Sequence, residues 1–574
     1  MINKLIHVNW RRHTAPLAII CLTTLLCLIP FLNKPLHIDD PLFVWIGDYI
    51  KAHPFDPYRL HVNWNGTEMQ MSQITKNPPL ASYYLALTAL VAGQSETAYH
   101  LGFLLLALSA SVGTYFLARL LCREPLIAAL VSLLTPVYLV SASTLMCDVM
   151  MLSFWIWATF AWIKGLDTSK KSLLFISAIL ITGAAFSKYY GIALIPLLAI
   201  YSFARKEKTV SWIVYLLMPI TAVTWYNTAT YTLYGKALTI DAGSFTSQYK
   251  VGSPVSWLRK GLIDLNFTGG CLGSIIFLMP FLWTKRTIST FALIALPLSS
   301  LLLLADPMGL LNSLKTSIGF PLLLQTFLMT IAGLGLLSLA VADYRRNKDA
   351  QSLLLLLWVV GTFAFAGFFN WTINGRSILP MVPAIGILTA RRLRQRFDEK
   401  THNRIKKYIF WSLLPAAALS IAVTFADYRL AGTTETAAAK LTQKYQSIPG
   451  TLWFQGHWGF QYYMEKYGAK ALDGARSELQ AGDIIIVPAN NTVSFDLPMD
   501  KVTPIGITEI ASCRWISTMS PYVHSGFYSS IWGALPFFIG PVPLEKYYEV
   551  TVVSPIGNGQ SIVEYNERVR NERR

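Results

Sequence analysis

The chain has 574 residues, of which 53% are hydrophobic and 14% charged, with a mean hydropathy of +0.43. Ordinary soluble domains carry about 25% charged residues, so composition excludes that class. The formal net charge of +17 does not point to nucleic acid. Lys and Arg gather in short segments between apolar runs, as cytoplasmic loops of membrane proteins do. The cysteines (Cys21, Cys27, Cys122, Cys147, Cys271 and Cys513) are scattered, without metal-type spacing or a disulfide framework.

The first apolar run, APLAIICLTTLLCLIPFL, reads as an anchor and not as a cleaved leader, because no small-residue cleavage site precedes His37. It leads into the longest loop between early spans, 33–97, which holds Asp39, Asp40, Asp48, Asp56, Lys76 and Asn77 among many aromatics. The segment PPLASYYLALTALVAG (78–93) is apolar but reads as a helix lying at the interface, since counting it as a span breaks the charge pattern. About thirteen spans are expected. They lie near 14–32, 98–120, 125–142, 148–165, 171–187, 190–204, 210–230, 268–284, 288–304, 320–341, 351–369, 376–391 and 408–426.

With Lys4, Arg11 and Arg12 inside, the basic clusters at Arg119/Arg123, Lys164/Lys170/Lys171, 205–208, 285–286, 345–348 and 391–407 all fall on the same side. An odd count of spans places 427–574 outside. There, short apolar strands (TLWFQG, DIIIVPA, KVTPIGITEI) alternate with the helical stretch WGFQYYMEKYG, which predicts a small α/β domain. The expected architecture is therefore mainly α. A polytopic membrane core (1–426) carries an extracytoplasmic α/β domain (427–574), with no internal repeat.

The unusual polar residues fall at outer span ends. Asp39 and Asp40 follow the first span, Asp148 opens the fourth, Lys188 sits in the turn after the fifth, and Arg376 opens the twelfth. Charges at such depth are costly and functional by default. Each also has a plain alternative. Asp148 can serve a helix N-terminus, Lys188 can snorkel to the interface, and Arg376 can be a counter-ion. Asp39 and Asp40 can be loop acids, although adjacent carboxylates repel and need a cation or a shared proton. Asp56 before Pro57 reads as turn chemistry, and His457 in QGHWGFQYY as structural or acceptor-side.

One chemistry accommodates the functional readings together. A carboxylate at the interface deprotonates an acceptor hydroxyl, while cations hold a phosphate leaving group at headgroup depth. That is what transfer of a sugar from a lipid-linked phosphate requires, and a single displacement of this kind inverts the anomeric centre. Two other classes compete. A transporter or flippase of a lipid-linked sugar would be expected to show repeat halves and midplane charges, and neither is legible. A scaffold acting through the outer domain would tolerate Asp39→Asn.

The layout resembles the GT-C superfamily of lipid-phosphate-sugar-dependent glycosyltransferases. It is most similar to bacterial relatives of protein O-mannosyltransferases (glycosyltransferase family 39) and of the lipid A aminoarabinose transferase. The resemblance covers about residues 10–430. It is carried by IDDPLFVWIGDYIKAHPFDPY (38–58), NPPLASYYLAL (77–87), TLMCDVMMLSFW (144–155), SKYYG (187–191) and GRSILPMVP (375–383). It implies catalytic roles for Asp39, Asp40 and Asp148, and donor-phosphate contacts for Lys188 and Arg376. Relatives with Lys-Pro-Pro in the first loop use that Lys near the phosphate; here Asn77 occupies the position and Lys76 precedes it. The resemblance further implies a polyprenyl-phosphate-linked donor, an envelope glycan, lipid or protein as acceptor, and a bacterial inner-membrane location. Some relatives bind a divalent cation at the acids, which leaves a metal on Asp39 and Asp40 open.

Overall fold

The computed structural model describes residues 13–206, 210–248, 254–304, 317–557 and 562–572. Lys4, Arg11 and Arg12, which anchor the charge argument, lie outside the described residues, as do Glu207 and Lys208 of the 205–208 cluster.

Among the described residues, six helices are long and apolar enough to cross a membrane: Thr14–Phe31, Glu96–Leu121, Asp148–Thr168, Gly319–Asn347, Ala350–Phe369 and Glu399–Lys444. Two bent pairs raise the number to eight if each is one span, and Leu80–Ala92, Lys171–Ser187 and Tyr189–Ala204 are shorter apolar helices. The elements begin where local chemistry asks them to. Ser95 caps Glu96–Leu121 by accepting from the Ala98 N–H, and Asp349 caps the helix at Ala350 by accepting from the Ser352 N–H.

Two expected spans differ in shape. The run 125–142 is broken into Pro125–Leu133 and Pro136–Ala142, at 65° to each other. Pro136 has no N–H to continue the helix, and Thr135 caps the second piece through the Tyr138 N–H. The span expected at 268–284 instead begins at Pro254, runs to Cys271 and then bends by 70°. A hydropathy window misses its first half because Arg259, Lys260 and Asp264 lower the mean. Glycine explains its packing: a Cβ on Gly269 would stand 1.8 Å from the Met329 carbonyl oxygen of the helix Gly319–Asn347. The segment 78–93 forms the helix Leu80–Ala92, packed against Asp40–Ile50 and Glu96–Leu121.

At the basic end of the bundle, the Arg391 guanidinium donates to Asp343 (2.8 Å), the Leu121 carbonyl (2.7 Å) and Gln351 (2.9 Å). Lys406 and His402 both meet Glu124 there (3.0 and 3.1 Å).

The last long helix, Glu399–Lys444, has 46 residues. At 1.5 Å per residue it is about 69 Å long, roughly twice a 30 Å hydrocarbon layer. It therefore leaves the bundle as a post and carries a five-stranded sheet in the order Lys470–Ala471, Leu452–Phe454, Ile484–Pro488, Glu545–Val552, Val502–Ile510. The first two pairings are parallel and the others antiparallel. Lys444 and Tyr445 at the end of the post both donate to the buried Glu549 of this sheet, which also accepts from Thr508 (2.7 Å).

The segment between the sheet strands, about 515–540, does not join that sheet. It forms small ladders of its own, Ile516–Ser517 with Phe538–Ile539 and Met519–Ser520 with Ser525–Gly526. It folds back onto the helical core, where Phe527, Tyr528, Leu535 and Phe538 are buried.

Candidate active site

The site begins in the turn after the first span. Ile38 has φ +50°, a sparsely populated region for a β-branched residue. The turn persists because its polar groups are spoken for. The His37 N–H donates to one oxygen of Asp40 (3.0 Å), and the Leu145 N–H, from the segment before the helix Asp148–Thr168, donates to the other (2.9 Å). Asp40 is wholly buried. Burial pushes its carboxyl up to about 7, against the pull of the Lys34 ammonium. Asp40 thus pins the first outer loop to the start of the fourth expected span.

Its neighbour Asp39 faces another way. Its side chain is 26% exposed and stands 3.3 Å from a terminal nitrogen of Arg376. The other terminal nitrogen of Arg376 is 3.9 Å from the buried Asp148 and contacts the Met146 sulfur. Lys188 lies 2.6 Å from Asp148. Asp39, Asp148, Lys188 and Arg376 therefore form one cluster from four separate chain segments. Arg376 Nε is buried without a hydrogen-bond partner in that cluster. An unused donor on a charged group is a ready position for a further anionic oxygen.

Lys76 is not part of this cluster. It makes a 2.6 Å ion pair with Asp241, with both side chains about a quarter exposed, and lies over the Phe245 ring. Asn77, at the Lys-Pro-Pro position, is the residue that meets Cys147 beside Asp148. Exposed pairs are worth about 0–1 kcal/mol. Lys76→Ala should thus leave thermal stability within about 1 kcal/mol of wild type, which a melting curve in detergent checks. His457 is held by the Trp64 carbonyl (2.8 Å) and Thr492 (2.7 Å) and stacks on Trp64; burial lowers its pKa to about 4. Asp56, expected as turn chemistry, accepts from Tyr234 (2.8 Å) and pairs with Arg59.

A second network, unforeseen from sequence, lies beneath the first. Lys34 and Asp427, both fully buried, stand 2.6 Å apart. Asp427 also accepts from Tyr528 and Thr518, each at 2.8 Å, and His37 Nε2 stands 3.7 Å away. The Lys34 carbonyl is met by His100 at 3.0 Å. Tyr528 joins the two networks: its ring lies 5.8 Å from the Arg376 guanidinium and packs edge-on against His37.

The neighbouring backbone is stitched to the Arg376 segment. The Gly375 N–H donates to the Phe527 carbonyl (2.7 Å), and the Ser530 N–H donates to the Ile373 carbonyl (2.8 Å). A Cβ on Gly375 would stand 2.7 Å from the Phe527 ring, so glycine is required for this close approach. Asp427 lies in the run TFADYRL just past the expected last span, and Lys34 just follows the first. Opposite charges just outside the first and last expected spans are the signal that could have paired them.

A divalent cation does not fit the acid pair. Both Asp40 oxygens already take backbone N–H groups, and a guanidinium occupies the vicinity of Asp39. Among the described residues no three His, Cys, Asp or Glu come together as metal ligands.

Residues 76–227 match the family model described as dolichyl-phosphate-mannose-protein mannosyltransferase. That is a glycosyltransferase family, the class the sequence resemblance implies, and the matched stretch contains Lys76, Asp148 and Lys188. No curated protein sequence matches the chain. Among solved structures, the chain is similar to an Archaeoglobus fulgidus oligosaccharyltransferase tethered with an acceptor peptide. That match has a TM-score of 0.48 and 13% identity, covering 82% of this chain and 64% of the archaeal one. It is also similar to ArnT from Cupriavidus metallidurans bound to undecaprenyl phosphate (TM-score 0.44, 12% identity, 84% and 94% covered). A third is the mycobacterial arabinofuranosyltransferase AftD (0.45, 13%, 96% and 40%). The chain spans under two thirds of the archaeal and mycobacterial chains.

Proposed function

We propose that the protein is an integral membrane glycosyltransferase that moves a sugar from a polyprenyl phosphate, undecaprenyl phosphate in a bacterial host, to an extracytoplasmic acceptor with inversion. The observation that carries this reading is the partly exposed Asp39 carboxylate beside Arg376, with Lys188 and Asp148 completing the cluster. Asp39 is the general base that takes the acceptor hydroxyl proton as the oxygen attacks the anomeric carbon. Arg376 and Lys188 hold the departing phosphate. Asp148 aims both cations, and Asp40 fixes the loop that presents Asp39. Lys76, on the same outer side, guides the donor headgroup once it leaves Asp241.

In this reading the cluster lies at the outer face of a bacterial inner membrane, the N-terminus is cytoplasmic and the chain crosses about thirteen times, as the charge pattern of the sequence suggests. It divides the chain into a catalytic membrane core, 1–426, with interfacial helices in 33–97, and a periplasmic domain, 427–574. The family match over 76–227 supports the chemistry.

Arg376→Ala tests the phosphate contact. Losing a charge-assisted contact of about 1.5–3 kcal/mol should raise the apparent donor KM by roughly tenfold or more, with a smaller change in acceptor KM. An unchanged donor KM contradicts the assignment.

A further inference from the structure

The cations at the basic end of the bundle fall into two groups. Arg391, Arg394 and Lys406 each meet an acid there, Asp343, Glu399 and Glu124 respectively. Arg346, Arg392 and Arg396 make no ion pair among the described residues, and neither do Lys285 and Arg286. Arg346 is exposed, and Arg392 and Arg396 are half-buried. One part of this end therefore carries charge that no carboxylate answers.

The geometry gathers this charge at one elbow. The chain turns where the short helix Met279–Leu282 ends, and Arg392 and Arg396, one turn apart on the helix Val382–Arg396, both reach that point. Arg392 Nε donates to the Leu282 carbonyl (3.0 Å), and a terminal nitrogen of Arg396 donates to the Pro280 carbonyl (3.0 Å). The Arg392 guanidinium also lies over the Trp283 ring, 4.6 Å from its centroid. These contacts orient the two groups but use only part of each. Both terminal nitrogens of Arg392, and the Nε and other terminal nitrogen of Arg396, make no hydrogen bond among the described residues. Burial, then Arg396 and Arg346, lower the pKa of Arg392, and no acid pulls the other way. Like charges four residues apart destabilise a helix, and a bound anion would remove that cost while taking up the spare donors.

The surroundings indicate an anion carried by a lipid. Just past the elbow begins the helix Lys285–Leu304, with two cations and no acid in its first turn, where a helix N-terminus itself favours negative charge. Its Phe291 packs edge-on against Trp283 (ring centroids 5.5 Å apart), and further along Leu293 and Leu296 are 73% and 59% exposed. The unanswered charge thus stands at the foot of an outward-facing apolar helix, beside an indole of the kind that sits at headgroup level. A free anion would meet the cations and leave the apolar surface bare. A phospholipid places its phosphate on the cations and its acyl chains along the helix.

We propose that Arg346, Arg392 and Arg396 bind the phosphate of an anionic phospholipid, with Trp283 beneath Arg392 and with Lys285 and Arg286 at the rim. Guanidinium groups suit this role because they present paired N–H donors to phosphate oxygens. The twenty residues of mostly helical chain from Arg376 to Arg396 put about 30 Å between this site and the Asp39–Arg376 cluster. It is a separate site, and its occupation does not depend on the transferase reading.

The test is native mass spectrometry of the full chain in detergent micelles, with dioleoyl phosphatidylglycerol, dioleoyl phosphatidylcholine and inorganic phosphate as probes. Wild type should bind phosphatidylglycerol roughly tenfold or more tightly than phosphatidylcholine. Arg346→Gln should weaken phosphatidylglycerol binding roughly fivefold, the worth of one cation beside an anionic headgroup. Arg346 is exposed and bonds to nothing else among the described residues, so this variant keeps the fold. Arg392→Gln with Arg396→Gln should weaken binding further. Lys170→Gln with Lys171→Gln, which removes two exposed cations away from the elbow, should change nothing. Equal affinity for the two lipids overturns the proposal, as does a loss in the lysine variant as large as that in Arg346→Gln. Displacement of phosphatidylglycerol by millimolar inorganic phosphate would show a site for free anions and overturn the assignment to a lipid.

Discussion

Asp39→Asn should leave the protein folded and reduce sugar transfer by roughly 10²-fold or more, the usual cost of losing a general base. Its side chain is partly exposed and, among the described residues, it pairs with Arg376, so removing its charge leaves no wholly buried group unpaired. Asp40→Asn should behave differently. Each Asp40 oxygen accepts a backbone N–H in a fully buried position. An amide can accept only one of them and turns a donor toward the other, at a cost of about 1–3 kcal/mol. Asp40→Asn should therefore lower the melting temperature as well as activity, while Asp39→Asn lowers activity alone. Paired thermal melts and transfer assays of the two variants check this. Equal melting behaviour would contradict the separation of roles, and full activity of Asp39→Asn would remove it as the base.

The second large effect concerns Lys34 and Asp427. Asp427→Ala leaves the Lys34 ammonium buried without its partner, and breaking such a pair costs about 3–5 kcal/mol. The charge-free double variant, Lys34→Met with Asp427→Leu, should recover most of that loss, because well-packed apolar replacements of buried pairs are often neutral or better. Activity should not recover. Without Asp427, Tyr528 loses the 2.8 Å bond that holds its ring beside Arg376, and misplacing a leaving-group contact by about an ångström can cost 10²-fold. A double-mutant cycle on melting temperature with parallel transfer rates checks both halves. A double variant that is stable and fully active would show that the network serves stability alone.

The sequence revealed the parts of the site that are unusual locally. Asp39, Asp148, Lys188 and Arg376 stand out because ionisable residues at span ends are rare, and the structure brings these four into one cluster. The different situations of Asp39 and Asp40 were not legible, because adjacent residues have identical local signals. Only the turn at Ile38 and the N–H of Leu145, 105 positions away from Asp40, separate them. The insertion of Tyr528 between Asp427 and Arg376 was hidden for the same reason. A segment read as part of an outer domain gives no local sign that it returns to the core. Hydropathy located the strongly apolar helices but smoothed over the break at Pro136, and it placed one span on the bend after Cys271, since a window averages across both polar helix starts and kinks.

The most direct test of the central claim is a transfer assay with membranes carrying wild type or Asp39→Asn, supplied with a panel of undecaprenyl-phosphate sugars. Sugar released or moved into envelope fractions is scored. Turnover of at least one donor by wild type, with loss of that turnover by roughly 10²-fold in Asp39→Asn, is the result expected. Equal turnover by the two proteins would contradict the mechanism, and no turnover of any polyprenyl-phosphate sugar by wild type in the presence of envelope acceptors would contradict the assignment as a transferase.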